Sequence, residues 1–199
     1  MGEELEEQEL MQRLKEILPP DRETGQRVKK RLDEMAKPLG SLGKLETLLI
    51  RAGAIYRTEQ IDFSRRCVVV FCGDNGVVEE GISQSGQEVT AIVAQKIAQG
   101  CSTVNRIARQ MHCDVLPVDI GMAQTVCHPN LQQSCVRRGT ANFAHQPAMS
   151  RREAVQAIGV GIETAGRLKE AGYRLLATGE MGIGNTTTSS AVASVLLQK

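Results

Sequence analysis

CVVVFCGDNG, residues 67–76, is the stretch on which the reading of the chain turns. β-Branched, aromatic and cysteine residues follow one another without a polar break and then give way to a polar glycine turn. That is the pattern of a strand buried on both faces. Two further stretches share it, DVLPVDIG at 114–121 and YRLLATGEMG at 173–182. Pro117 weakens the former, because proline cannot donate to a sheet ladder and prefers an edge or a strand end. Between the strands the apolar period lengthens to that of a helix: QEVTAIVAQKIAQ at 87–99, STVNRIARQM from Ser102 as N-cap, and a long segment opened by Ser150 and Glu153 in capping-box spacing. Strands alternating with helices predict parallel strands joined by right-handed crossovers, hence a three-layer α/β domain.

Upstream of Arg65-Arg66 the character is wholly helical. Residues 4–18 carry Leu10, Met11, Leu14, Ile17 and Leu18 at helical spacing and stop at Pro19-Pro20. A second helix starts near Asp21 and is expected to run to Lys37-Pro38, and a third starts near Lys44 after a glycine turn. The expected division is therefore a helical piece, 1–62, ahead of an α/β domain, 63–199. Three strands are few for an open parallel sheet, and the sequence stops just after the helix TTTSSAVASVLLQ at 186–198. The expectation is that the natural protein continues or that a second polypeptide completes it.

Composition bounds the function. The 199 residues hold 24 Lys+Arg against 23 Asp+Glu, with 41% hydrophobic and only 3% aromatic residues. Interspersed charges of both signs and few aromatic platforms argue against a nucleic-acid partner, and no apolar run is long enough for a membrane span. The acidic opening MGEELEEQEL is unlike a secretory signal, so a cytoplasmic protein is expected. Six cysteines without a Cys-x-x-Cys pair read as reduced thiols. The neighbours His112-Cys113 and Cys127-His128 lack four-ligand spacing, so neither a metal nor another cofactor is expected.

Each strand ends in glycine beside an acid: Asp74, Asp119 and Glu180. Ligands of open α/β sheets bind at the carboxyl ends of strands, which makes the three acids binding candidates. The strongest motif is GEMGIGNTTTSS at 179–190, a strand running through a glycine loop into a hydroxyl-rich helix start. Gly182 and Gly184 would let backbone N–H groups approach an anion, and Asn185, Thr186 and Thr187 add donors at the positive end of the helix. It is neither a P-loop nor a dinucleotide fingerprint, so a nucleoside monophosphate is the better match. Ser83, Ser85 and Gln87 in the loop before the first α/β helix could hydrogen-bond a small heterocycle. Arg137-Arg138, two basic residues in a loop, read as a solvated turn.

Taken together, KPLGSLGKLE at 37–46, GDNGVVEEGISQSGQEVT at 73–90, DIG at 119–121, RRGTANF at 137–143, PAMSR at 147–151 and GEMGIGNTT at 179–187 resemble, in order, the nicotinate-nucleotide:dimethylbenzimidazole phosphoribosyltransferase family. The resemblance implies a Rossmann-like large domain, a small helical domain drawn from both chain ends, and a homodimer. It implies transfer of phosphoribose from nicotinate mononucleotide to 5,6-dimethylbenzimidazole without a metal. By similarity Glu180, Gly182 and the Asn185-Thr186 turn hold the ribose phosphate. Ser85 faces the base, and Glu180 and Asp74 stabilise positive charge developing on the ribose. Two departures accompany it: Val93 stands where some members carry a base-lining glutamine, and the family's general-base glutamate falls beyond Lys199, so no catalytic residue is expected within this chain. A different class of protein, a non-catalytic module that binds a pyridine mononucleotide, is the alternative; a structural fragment that binds neither substrate is the third.

Overall fold

The structure, a computed structural model, describes the backbone of residues 2–199 and the side chains from Glu7 onward. It resolves into two compact units, one of Gln8–Phe63 and one of Ser64–Lys199 with the chain's first residues.

The first unit is built on helices. α1 (Gly2–Lys15), which belongs to this unit from Gln8 onward, ends ahead of the Pro19-Pro20 pair, α2 spans Arg22–Asp33 and α3 spans Lys44–Tyr56. Asp21 caps α2 by accepting from the Glu23 amide at 3.1 Å and the Thr24 hydroxyl at 2.6 Å. α2 buries Thr24, Gly25, Val28 and Leu32, and Val28 rests on Gly53 of α3, where an added Cβ would sit 2.5 Å from its Cγ2. α2 stops at Asp33, short of the expected Lys37-Pro38 end. The chain leaves the helix early because Lys37 turns to Glu46 at 2.8 Å, and the Leu42 amide donates to the same carboxylate oxygen at 3.2 Å. The KPLGSLGKLE motif is thus a loop clamped by its own lysine and glutamate, both side chains largely withdrawn from water.

The second unit is the predicted three-layer α/β fold. β1 (Arg66–Gly73), β2 (Asp114–Gly121) and β4 (Leu175–Met181) coincide with the three sequence stretches, and a short β3 (Gln132–Gln133) joins them. All pairs are parallel, in the order β3-β2-β1-β4. Side chains alternate across the sheet. Val70 and Cys72 of β1 pack with Ala94, Ile97 and Ala98 of α4 (Glu88–Ala98), while Cys67 and Val69 pack on the other face with Val160 and Leu168 of α6 (Arg151–Glu170). α5 (Thr103–Gln110) begins at Ser102, whose amide and hydroxyl both donate to the Asn105 side-chain oxygen. Pro117 is tolerated because β3 pairs only with Val118 and Asp119, so β2 is in effect an edge beside the proline. β3 was not foreseen: two glutamines carry no apolar alternation. α7 (Asn185–Leu197) follows β4 and buries none of its residues.

Candidate functional site

Strand order fixes where a ligand can enter. From β1 the chain crosses to β2 on one side and later returns as β4 on the other, so the carboxyl ends of β1 and β4 flank a topological switch point. A crevice of about 270 Å³ opens there. Asp74 follows β1 and Glu180 lies near the end of β4; both line it, with Phe71, Ile120, Val136, Met149 and Met181 as apolar walls. A larger hollow of about 860 Å³ runs along the amino-terminal half of β2, at the far end of the sheet. Its polar side chains engage one another, Gln132 with Thr164 and Arg167, and Tyr173 with Asp114.

A strap of chain, residues 134–140, roofs the crevice. Ser134, Val136 and Gly139 donate from their amides to the carbonyls of Asp119, Ile120 and Gly121, and the Thr140 amide donates to the Asp74 carbonyl at 2.9 Å. The Thr140 hydroxyl accepts from the Gly76 amide at 3.0 Å. Gly76 has to be glycine, because a Cβ would meet the Thr140 carbonyl oxygen at 2.4 Å.

The three rim acids separate in role. Asp119 is fully buried, 0% exposed, and does not line the crevice. Its Oδ1 accepts the amides of Gly121 and Met122 at 3.0 and 2.9 Å, and its Oδ2 accepts from Arg138 at 2.8 Å. This carboxylate is saturated by the protein and holds the strap down. Arg138 also donates to the Met122 carbonyl at 3.1 Å, and its pairing with Asp119 raises its pKa further. Asp74 is different: 2% exposed, with Oδ2 accepting the Ala123 amide at 2.7 Å while Oδ1 has no partner among the described residues. An unsatisfied buried carboxylate oxygen leaves uncompensated negative charge at the crevice.

The Arg137 and Arg138 side chains stay 38% and 43% exposed, as expected of a solvated turn, but each also has an acidic partner. Arg138 is bound to a buried carboxylate, and Arg137 lines the crevice at 3.4 Å from Glu153. Glu153 itself was legible only as a helix cap. It does cap α6, accepting the Ser150 amide at 2.7 Å, and this bond, with Arg137 nearby, holds its carboxyl below the usual carboxylate range. That the same carboxylate reaches the ligand crevice depends on where the helix start lands, which a local motif does not state.

The GEMGIGNTT loop leans on β1. An added Cβ on Gly182 would sit 2.1 Å from the Gly73 carbonyl oxygen, and Gly184 adopts φ +85° beside Val78. Both glycines are thus required by packing within the chain. Asn75 ties the loop down by donating to the Ile183 carbonyl at 3.0 Å and accepting from the Thr188 hydroxyl at 2.9 Å. The Ile183 amide already donates to Thr90 Oγ1 and the Asn185 amide to the Gly182 carbonyl. The donors left for an anion are therefore at the start of α7, the amides of Gly184, Thr186 and Thr187, where no side chain caps the helix. The Asn185 side chain donates to Glu180 at 2.5 Å, so these two form one polar unit beside the crevice. Ser85 is exposed and lies outside the crevice lining, its amide turned to Ser83 Oγ at 3.2 Å, while Gln87 pins the same loop to the Asn75 carbonyl.

Counted by charge, the crevice has three carboxylates, Asp74, Glu153 and Glu180, and one cation, Arg137. A phosphate dianion is repelled from the interior and attracted to the α7 N-terminus outside it. A ring bearing positive charge is favoured within.

Comparison with known proteins shows the family. A family model described as phosphoribosyltransferase matches residues 17–199. The nicotinate-nucleotide--dimethylbenzimidazole phosphoribosyltransferase of Ruminiclostridium cellulolyticum is 46% identical over 175 residues, covering 88% of this chain and 50% of the relative. That of Acetivibrio thermocellus is 43% identical, covering 94% and 53%. A crystal structure of CobT from Thermus thermophilus superposes with a TM-score of 0.84 at 38% identity, covering 88% of this chain and 53% of that one. The chain spans about half the length of the curated relatives it matches. With a parallel α/β sheet of this order, an acidic switch-point crevice and a matched stretch that takes in both units, the chain belongs to this phosphoribosyltransferase family.

Proposed function

We propose that this chain forms the nucleotide-binding half of an enzyme that transfers phosphoribose from nicotinate mononucleotide to 5,6-dimethylbenzimidazole. The products are α-ribazole 5′-phosphate and nicotinate. The observation that carries the reading is the pair of carboxylates, Asp74 and Glu180, at one switch-point crevice with an uncapped helix N-terminus beside it. Bond breaking turns a cationic pyridinium into a neutral leaving group and moves positive charge onto the ribose. Carboxylates aimed at that charge lower the barrier, and none of these steps calls for a Lewis acid. Glu180, fixed by Asn185, suits the ribose, and the first turn of α7 suits the 5′-phosphate. Assigning the phosphate to Glu180 itself would set like charges together, so the carboxylate serves the sugar. Ser85, on the exposed loop before α4, is the candidate contact for the incoming base. The residues named here bind and position; the general base is expected outside them. We further infer a homodimer in the cytoplasm, with residues 1–62 belonging to a smaller helical domain. Among the described residues no helix is long and apolar enough to cross a membrane.

Incubation with both substrates, followed by chromatography for α-ribazole 5′-phosphate and nicotinate, tests the proposal. The expected result is saturable nucleotide binding with turnover about 10²–10⁴-fold below that of a full-length relative, the usual cost of losing a positioned base. Rapid turnover by this chain alone would put the proton acceptor inside it, and failure to bind the nucleotide would end the reading. The alternative is a non-catalytic mononucleotide-binding module. It predicts binding without product even when the remaining half of a relative is supplied in trans.

A further inference from the structure

Deepening the reading above, and resting on it, we infer that Arg137 is the residue that recognises the ring carboxylate of the nucleotide. It thereby separates a pyridine-3-carboxylate from the corresponding amide. Nicotinate mononucleotide carries a zwitterionic ring, with a cationic ring nitrogen bonded to the ribose and an anionic carboxylate at the 3-position. The crevice has the matching distribution: Asp74 and Glu180 on the strand ends, Arg137 on the strap, and a wall that includes Phe71 and Met149 for a flat ring. Asp74 is buried with one oxygen unpartnered among the described residues, so its charge acts on the ligand through a region of low dielectric.

Arg137 is the single cation among the residues lining the crevice. Its one recorded partner, Glu153, is at 3.4 Å through a single nitrogen, which leaves the other N–H groups of the fork to a second carboxylate. Glu153 is in turn engaged by the Ser150 amide at 2.7 Å, so the guanidinium is steadied without being saturated. Surrounded by three carboxylates, an anionic group on a ligand has one place to sit. A neutral amide there would forgo the charge-assisted bonds and gain little from the acidic neighbours.

Titration calorimetry tests this with nicotinate mononucleotide, nicotinamide mononucleotide and ribose 5-phosphate, on the wild-type chain, Arg137→Gln and Arg137→Lys. The expected result is at least about a tenfold preference of the wild type for nicotinate over nicotinamide mononucleotide, from a charge-assisted pair that the amide cannot make. Arg137→Gln should bring the two affinities to within about two- to threefold, and Arg137→Lys should retain part of the preference, since a point charge replaces the bidentate fork. A circular-dichroism melt of each variant checks folding. Equal wild-type affinities for the two nucleotides, or a preference that survives in Arg137→Gln, would overturn the role of Arg137 and leave the proposed function standing. Binding of neither nucleotide by the wild type would overturn both.

Discussion

β1 and β4 are neighbours in the same parallel sheet, paired from Arg66 opposite Leu175 to Cys72 opposite Met181, yet their surroundings differ sharply. Helices cover β1 on both faces, and Val69 is 4% exposed. Leu176 on β4 is 36% exposed, and Val195 of the following α7 is 77% exposed. β1 is buried on both faces within the α/β unit, whereas β4 and α7, which hold part of the proposed ligand site, bury little apolar surface. Segments with little buried apolar surface open at low free-energy cost.

The sharpest test of the contrast compares two rim acids. Asp119→Ala leaves the buried Gly121 and Met122 amides without their acceptor, and should cost about 2–4 kcal/mol in urea unfolding. Glu180→Ala, at an exposed position, should change stability by less than about 0.5 kcal/mol and abolish nucleotide binding. If the two variants were equally destabilised, the division between a structural and a ligand-facing acid would fail. A milder comparison truncates the strands themselves. Val69→Ala should cost about 2 kcal/mol through lost burial and the cavity left behind, whereas Leu176→Ala, though it deletes a larger side chain, should cost under about 1 kcal/mol.

Thiol chemistry tests the burial of β1 without a substitution. Burial pushes the Cys72 thiol up to about 12 and the Cys67 thiol up to about 11, so neither presents thiolate at neutral pH. Iodoacetamide at pH 8 should label Cys101 and Cys127, which are exposed, and reach Cys67 and Cys72 only after unfolding; mass spectrometry of peptides checks this. The smallest effect concerns the start of α6. Glu153 is held below its ordinary value by the Ser150 amide, so its contribution is present above the unfolded carboxylate range and is lost as pH falls through the lowered folded value. Hydrogen exchange in the first turn of α6 should accelerate, relative to β1, on acidification below about pH 4.

Much of this was legible in the chain. The runs at 67–76, 114–121 and 173–182 became β1, β2 and β4 because residues buried on both faces leave an uninterrupted apolar signature. Ser150 with Glu153 announced the start of α6 because a capping box is a local device. What the sequence withheld is non-local. Asp74 and Asp119 occupy alike Gly-and-acid turns, and nothing nearby tells that one carboxylate would be saturated by Arg138 while the other keeps an oxygen without a partner. Gly182 and Gly184 stand out as ligand glycines, yet the carbonyl of Gly73 and the side chain of Val78 are what demand them. The pairing of Arg137 with Glu153 required a strap and a helix start to meet over the sheet.

The central claim is that the crevice between the ends of β1 and β4 receives the nucleotide, with the phosphate at the first turn of α7. Hydrogen–deuterium exchange with and without saturating nicotinate mononucleotide addresses it directly. Slowed exchange confined to residues 182–188 and to the strap at 136–140 is the result expected. Unchanged exchange there, with protection appearing along the far end of β2 around Asp114 and Tyr173, would contradict it.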